Sequence, residues 1–520
     1  MSRHLNRIQD GDTPVKISRV AQGLFAALVA TAAVGAAPAT SLAAPATGDQ
    51  FSTAAVGNTL VYKQKTEGYD CFRIPAVVKA NNGELLAFAE GRNGGASFCN
   101  DRGDIDLVVK RSADNGKTWS APKVVIEGFG DTKGNPTPIV IPSTGRIVLL
   151  SVMECVKNPD CNRIPRVSIS DDHGKTWTAP KVLTTQLGFS SAPGWLATGP
   201  SHGIVLTRGA HAGRIVAGMS YTVDGKNSGA LIYSDDQGVT WKRGATDTPA
   251  ASVELNPQEI SVTELLDGRV YAAARNQANN DDKCLSGGAK NRAYAISSDG
   301  GASFSTKFTF EEDLITPVVQ ASTARMTATD KAGKYNRILF AAPSVCDRRK
   351  ELVVRSSFDE GANWQGNSAG TLVWSGDAAY SDMVQLSSGS VGVLYEAGPA
   401  GNANETIRFS TVTETTLGAP VCGGGYGVID SAPLGTAGTV YLSYNASNGQ
   451  NCVSTMKSES AGTATATSAY LEVAGASRIT DSGSFSWFAG PVRAAAAGKC
   501  VKWGGSAGGT AYNSPSEHCG

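Results

Sequence analysis

Net charge, histidine and long apolar runs are all scarce in this 520-residue sequence. Lys plus Arg number 46, as do Asp plus Glu. Without a basic excess the chain has no electrostatic footprint for nucleic acid, so no nucleic-acid partner is expected. Only four histidines follow the first 43 residues (His173, His202, His211 and His518), and the cysteine spacings fit no zinc pattern. A dedicated metal site is therefore not expected. Beyond the N-terminal region no apolar run is long enough to cross a bilayer. Sustained helical periodicity is almost missing too, which points away from a helical fold.

The N-terminal region reads as an address. Arg3, Arg7, Lys16 and Arg19 precede an alanine-rich apolar run from Val20 to about Ala37, and Ser41-Leu42-Ala43 supplies small residues for cleavage. We expect 1–43 to be a secretory signal and the protein to be released outside the cell as a monomer. Without that segment 42 basic face 44 acidic residues, a net charge of about −2. All ten cysteines lie beyond it, and an even count in an exported chain predicts disulfides. Pairing between sequence neighbours is the expectation.

Five segments share one design: SADNGKTW (112–119), SDDHGKTW (170–177), SDDQGVTW (234–241), SSDGGASF (297–304) and SFDEGANW (357–364). Their final aromatics are 58, 64, 63 and 60 residues apart. Such regularity marks repeated units. Asp and Gly two residues apart suit a tight turn, the carboxylate accepting nearby N–H groups and glycine taking a positive φ. An EF-hand is excluded, because its twelve-residue ligand spacing and closing glutamate are missing. Short Val/Ile/Leu/Ala runs punctuated by Asn-Gly, Asp-Gly or Ser-Gly fit about four strands into each unit, the arithmetic of a propeller blade. We expect an all-β chain: a six-bladed β-propeller over 44–418, its box-less blade closed by both chain ends, then a small disulfide-tied β domain over 421–520. That tail holds four cysteines and only ten charged side chains.

Three hairpins carry charge at the end remote from the turn. In YDCFRIPAVV, Arg73 interrupts an apolar strand, and a guanidinium that cannot shed its charge needs an anion. A two-residue loop at Asn82-Gly83 would set Arg73 opposite Arg92. In QEISVTELLDGRVYAAARN a three-residue loop sets Glu259 opposite Arg275, and in AAYSDMVQLSSGSVGVLYEAG a β-bulge would bring Tyr380 opposite Glu396. Inner strands of successive blades run the same way, so these groups should converge at one mouth of the axial channel.

Phe72-Arg73-Ile74-Pro75 together with the five boxes resembles the bacterial exo-sialidases with FRIP motif and Asp boxes, over about 52–415. The resemblance implies retaining hydrolysis of terminal sialic acids on glycans, glycoproteins or glycolipids, chemistry that calls for no organic cofactor. Three arginines would clamp the sugar carboxylate: Arg73, Arg275 and one of CDRRKELVVRSS, where Arg349 fits the family spacing and Arg348 and Arg355 are alternatives. Tyr380 would be the nucleophile, Glu259 its base, Glu396 the group orienting the first arginine, and Arg92 a further cation. The family pattern for the acid/base, an aspartate on the loop between the first motif and the first box, falls on Asp101, with Asp104 and Asp106 as competitors. A Cys71–Cys99 disulfide would fix that loop. The implied alternatives are sialyl transfer and a non-hydrolytic sialic-acid-binding adhesin. The tail, through TVYLSYNASNGQNCVSTMKS and GKCVKWGGSAGG, is similar to small secreted actinobacterial proteins of the spore-associated type. Trp487 and Trp503 are read there as core aromatics rather than sugar platforms.

Overall fold

The computed structural model describes residues 56–94, 99–158, 163–190, 193–278, 284 and 290–520. The leader expected at 1–43 lies outside them. The described residues fall in one compact unit whose elements are almost all β-strands. Among the described residues no helix is long and apolar enough to cross a membrane.

The strands group in chain order into antiparallel units around an axis, which makes the fold a β-propeller. The first unit contains Cys71–Lys79, Leu85–Asn93, Asp104–Ser112 and Lys123–Ile126; the next starts at Thr132–Val140. Later units start at Trp195–Thr198, Pro257–Glu264 and Ser322–Thr327, and the last is built on Thr371–Ser387. Asn58–Lys63 pairs with Thr406–Thr413, so the N-terminal strand completes the final unit and closes the ring, as expected.

The boxes show why the repeat is spelled as it is. In the first, Gly116 N–H donates to Ser112 Oγ (2.8 Å), Thr118 N–H and Oγ1–H donate to the two oxygens of Asp114 (2.9 and 2.7 Å), and Trp119 Nε1–H caps Gly116 O (3.2 Å). The backbone bond to the Asp carboxylate recurs at Asp172, Asp236, Asp299 and Asp359, and the indole cap recurs at Trp177 and Trp241. Gly116 has φ +87°, the expected reason for glycine. A second reason is tertiary: a Cβ there would lie 2.2 Å from the Phe409 ring of the neighbouring unit. Trp119 packs edge-on against that same ring at 5.5 Å, so one turn shapes its own unit and fastens the next.

Two of the three registers differ from expectation. The first hairpin turns through three residues, with Ala80 N–H donating to Glu84 O, and a bulge between Arg73 and Ala76 shifts it again. Arg73 therefore faces Glu90, and Arg92 faces Cys71; two cations are not opposed. In the second, the three-residue loop holds, but a bulge between Gln258 and Ser261 sets Gln258 opposite Arg275. The third contains the expected bulge, between Ala378 and Ser381. A further bulge lies between Gly134 and Thr137. Each is on the innermost strand at the same end, where an extra residue bends the strand and re-aims its side chains toward the axis. Ile74 and Glu259 sit in these bulges at φ +58° and +47°, a conformation that non-glycine residues seldom adopt.

The tail builds two four-stranded sheets with their own core, which includes Leu442, Val453, Leu471, Val492 and the fully buried Trp503. Trp487 is half-buried rather than part of that core. Tyr441 and Met456 pack on Tyr335 and Phe358 of the propeller, and Ser458 Oγ–H donates to Lys334 O at 2.7 Å. Disulfides join Cys71–Cys99, Cys284–Cys346, Cys422–Cys452 and Cys500–Cys519, all sequence neighbours. The expected partner of Cys155, Cys161, lies outside the described residues.

Candidate active site

The bulged ends of the inner strands bring Arg73, Glu259, Arg275 and Tyr380 together. Arg73, buried, acquires its anion from the protein: Nε–H donates to Glu396 Oε1 (2.6 Å) and Nη2–H to Oε2 (3.1 Å). Glu396 also accepts the N–H of Ile74 (2.9 Å) and of Tyr380 (3.2 Å). Four donors thus fix one fully buried carboxylate, and the same carboxylate fixes the strand that carries Tyr380. Burial alone would depress the Arg73 guanidinium; Glu396 outweighs it and raises the pKa.

Tyr380 donates its O–H to Glu259 Oε1. Glu259 Oε2 in turn accepts Arg275 Nη1–H (2.8 Å), which also reaches Tyr380 Oη at 3.2 Å. Of the two glutamates, Glu259 accepts the phenolic hydrogen bond, while Glu396 accepts only the tyrosine backbone N–H. The phenol needs such a partner. Burial and the charge on Glu259 push its pKa well above the ordinary value, with Arg275, Arg349 and Arg73 pulling the other way.

Of the three candidates for a third arginine, Arg349 alone is placed at the tyrosine, its guanidinium 5.9 Å from the ring centroid, beside Arg73 at 5.2 Å on the same ring. Arg348 is exposed and pairs with Asp347. Arg355 is fully buried against Phe340.

Asp101 sits on the loop that the Cys71–Cys99 disulfide ties to the first inner strand. Its side chain is 77% exposed and accepts Arg92 Nη1–H at 2.5 Å, with Arg73 Nη1 at 3.8 Å. Crowding at the site would raise its pKa, but Arg92 and Arg73 prevail and hold it below the usual carboxylate range. Asp104 and Asp106 are committed elsewhere, to Gly130 N–H (2.7 Å) and to Tyr69 O–H (2.6 Å).

Several site residues escaped the sequence reading. Glu90 holds Arg92 through Nε (2.9 Å) and Nη2 (2.6 Å) and accepts Asn135 N–H (2.9 Å). Its i, i+2 relation to Arg92 on one strand face was the available signal. Asp382, fully buried, accepts the N–H groups of Val77 and His202 (both 2.9 Å) and contacts His202 Nδ1 at 2.7 Å. Gln320 brackets Ser381, accepting its N–H and donating to its carbonyl (both 2.9 Å). No local pattern announces Asp382 and Gln320, whose partners Val77, His202 and Ser381 lie 61 to 305 residues away in the chain. A cavity of about 680 Å³ lined by Lys79, His202, Arg325 and Gln385 also opens on the propeller, but none of the eight sequence-predicted site residues lines it.

Three guanidinium groups around a buried phenol that is bonded to a carboxylate can chemically bind an anion and move a proton beside it. The chain belongs to the BNR repeat-like domain family, which matches residues 83–393, and over part of its length to the family of Spore-associated protein A from Streptomyces coelicolor. The latter match is 39% identical over 123 residues, 22% of this chain and 79% of that protein. A sialidase of Micromonospora viridifaciens is 30% identical over 424 residues, covering 76% of this chain and 59% of that protein. The solved Hadza microbial sialidase Hz136 shares the fold, with a TM-score of 0.58, 23% identity and 68% of each chain covered. The chain spans about three fifths of the length of the curated sialidases it matches first.

Proposed function

We propose that the protein is a secreted, monomeric exo-α-sialidase, hydrolysing terminal sialic acids from glycoconjugates with retention through a tyrosyl intermediate. The observation that carries this reading is the Arg275–Glu259–Tyr380 chain beside Arg73 and Arg349. Guanidinium forks at Arg73, Arg275 and Arg349 suit a carboxylate with charge-assisted bonds that lysine could not reproduce. That carboxylate sits on the carbon to be attacked. A neutral phenol approaches it with less repulsion than an aspartate would, and sialidases are the known glycosidases with a tyrosine nucleophile. Glu259 takes the phenolic proton as the C–O bond forms. Asp101 protonates the departing glycosidic oxygen and then takes a proton from the water that attacks the tyrosyl glycoside, whose C–O bond breaks as Glu259 returns its proton to the phenolate.

The test is release of free sialate from α2,3-, α2,6- and α2,8-linked substrates, with and without excess lactose. Hydrolysis predicts free sialate in both. Sialyl-lactose as the main product would instead indicate transfer, and binding without release an adhesin.

Asp101 sets a pH signature. A general acid must be protonated, so activity falls as pH rises through its pKa. In the free protein two arginines depress that pKa. A bound sialate carboxylate offsets their charge and adds its own, raising it. The alkaline limb of kcat/KM should therefore lie at lower pH than that of kcat. Arg92→Gln removes the nearest cation and should move the kcat/KM limb to higher pH; an unmoved limb would refute the assignment of Asp101.

A further inference from the structure

Arg355, left aside by the reading above, faces a second unexplained cation. It rises from Lys350–Ser357, the third strand of its unit, and Arg292 rises from Arg292–Ser297, the third strand of the preceding unit. Both are buried, at 0% and 1% exposure, and each guanidinium stands 5.2 Å from the ring centroid of Phe340. Each spends one nitrogen on the segment joining the two units: Arg355 Nη1–H donates to Ile315 O (2.9 Å) and Arg292 Nη1–H to Val319 O (2.8 Å). Arg355 Nε and Nη2, Arg292 Nη2 and the hydroxyl of Thr316 on the same segment are buried with no hydrogen-bond partner among the described residues.

Among the described residues neither arginine has an ion pair with a carboxylate. Glu259 is engaged by Arg275 and Tyr380, and Glu311 accepts Tyr271 O–H at 2.9 Å. Burial draws both guanidinium groups down, Arg292 to about 10 and Arg355 to about 9, the latter also repelled by Arg292. Two buried like charges with several idle donors and no counterion are unfavourable as they stand. Hydroxyl and guanidinium donors with no facing base suit a small anion, and close packing between units favours one of halide size.

We propose that Arg292, Arg355 and Thr316 form a buried site for a small monovalent anion, chloride in ordinary salt, between two adjoining propeller units. The site would act on the segment it holds. Val318 O accepts Arg349 Nη2–H (3.2 Å), Val319 packs with Tyr380, and Gln320 brackets Ser381. Anion binding would thus brace the floor under the tyrosine, although folding stability reports it without any substrate.

The experiment is thermal unfolding of the full chain in sodium chloride and in sodium gluconate at equal ionic strength, which holds screening constant. Chloride should raise Tm saturably, by about 2–4 °C, and gluconate should not. Arg355→Met should remove the chloride-specific rise; if that variant fails to fold, Thr316→Val should shift the half-saturation concentration upward. Crystals soaked in bromide should show an anomalous peak between the two guanidinium groups. Superimposable unfolding curves in both salts, or a bromide-soaked crystal with water alone at that position, would overturn the proposal.

Discussion

Tyr380→Phe is expected to lower kcat on an aryl α-sialoside by about a thousandfold or more, with KM changed only a few-fold. The reasoning is a difference between states. The ring stays wedged between Ile74, Val319 and Ala379, so the arginines around it keep their places. What disappears is the oxygen that captures the anomeric carbon, and with it any bond made only along the reaction path. Glu259→Gln should fall in the same direction, because the Tyr380 phenol is pushed up by burial and cannot ionise unaided at neutral pH. Its loss should be smaller, by about a hundredfold, since the oxygen remains. The measurement is steady-state kinetics alongside circular dichroism. A Tyr380→Phe variant within tenfold of the parent would remove the tyrosine from the chemistry, and with it the tyrosyl intermediate.

How far the sequence allowed this site to be drawn depended on whether a residue's partner was local. The boxes were legible because Ser112, Asp114, Gly116 and Thr118 bond one another within a single turn. Ring closure was legible from the missing sixth box. Registers were partly legible: the second turn was counted correctly and the first came out one residue short, while the bulges at Ile74 and Glu259 could not be read at all, since nothing in the residues there demands an extra one. Their cause is tertiary, the Glu396 carboxylate drawing in the Ile74 N–H and Arg275 drawing in Glu259. A two-residue shift, one from the longer turn and one from the bulge, therefore mispaired Arg73 with Arg92, although the two guanidinium groups do meet at Asp101. The choice between Glu259 and Glu396, and among Arg348, Arg349 and Arg355, likewise waited on which side of a strand meets Tyr380 from another unit. Asp382 and Gln320 were invisible because they bond backbone groups, whose positions no side-chain pattern encodes.

Glu396→Ala is expected to destabilise the propeller by about 3–5 kcal/mol and to abolish turnover. The carboxylate is fully buried and accepts from Arg73 twice and from the N–H groups of Ile74 and Tyr380. Truncation leaves a buried guanidinium and two backbone donors facing a hole, the costly way to break such a pair. Glu396→Gln keeps the shape and one acceptor but not the charge, and should cost less. The double variant Arg73→Met, Glu396→Ala separates the causes. If uncompensated charge is what hurts, removing the cation as well should recover more than half of the lost stability while activity stays absent, because no carboxylate clamp remains. If the loss were only a packing defect, the double variant would be no more stable than the single one. Guanidinium unfolding followed by fluorescence and circular dichroism distinguishes these outcomes. A single variant as stable as the parent would mean that Arg73 does not depend on Glu396 for its place at the mouth of the propeller.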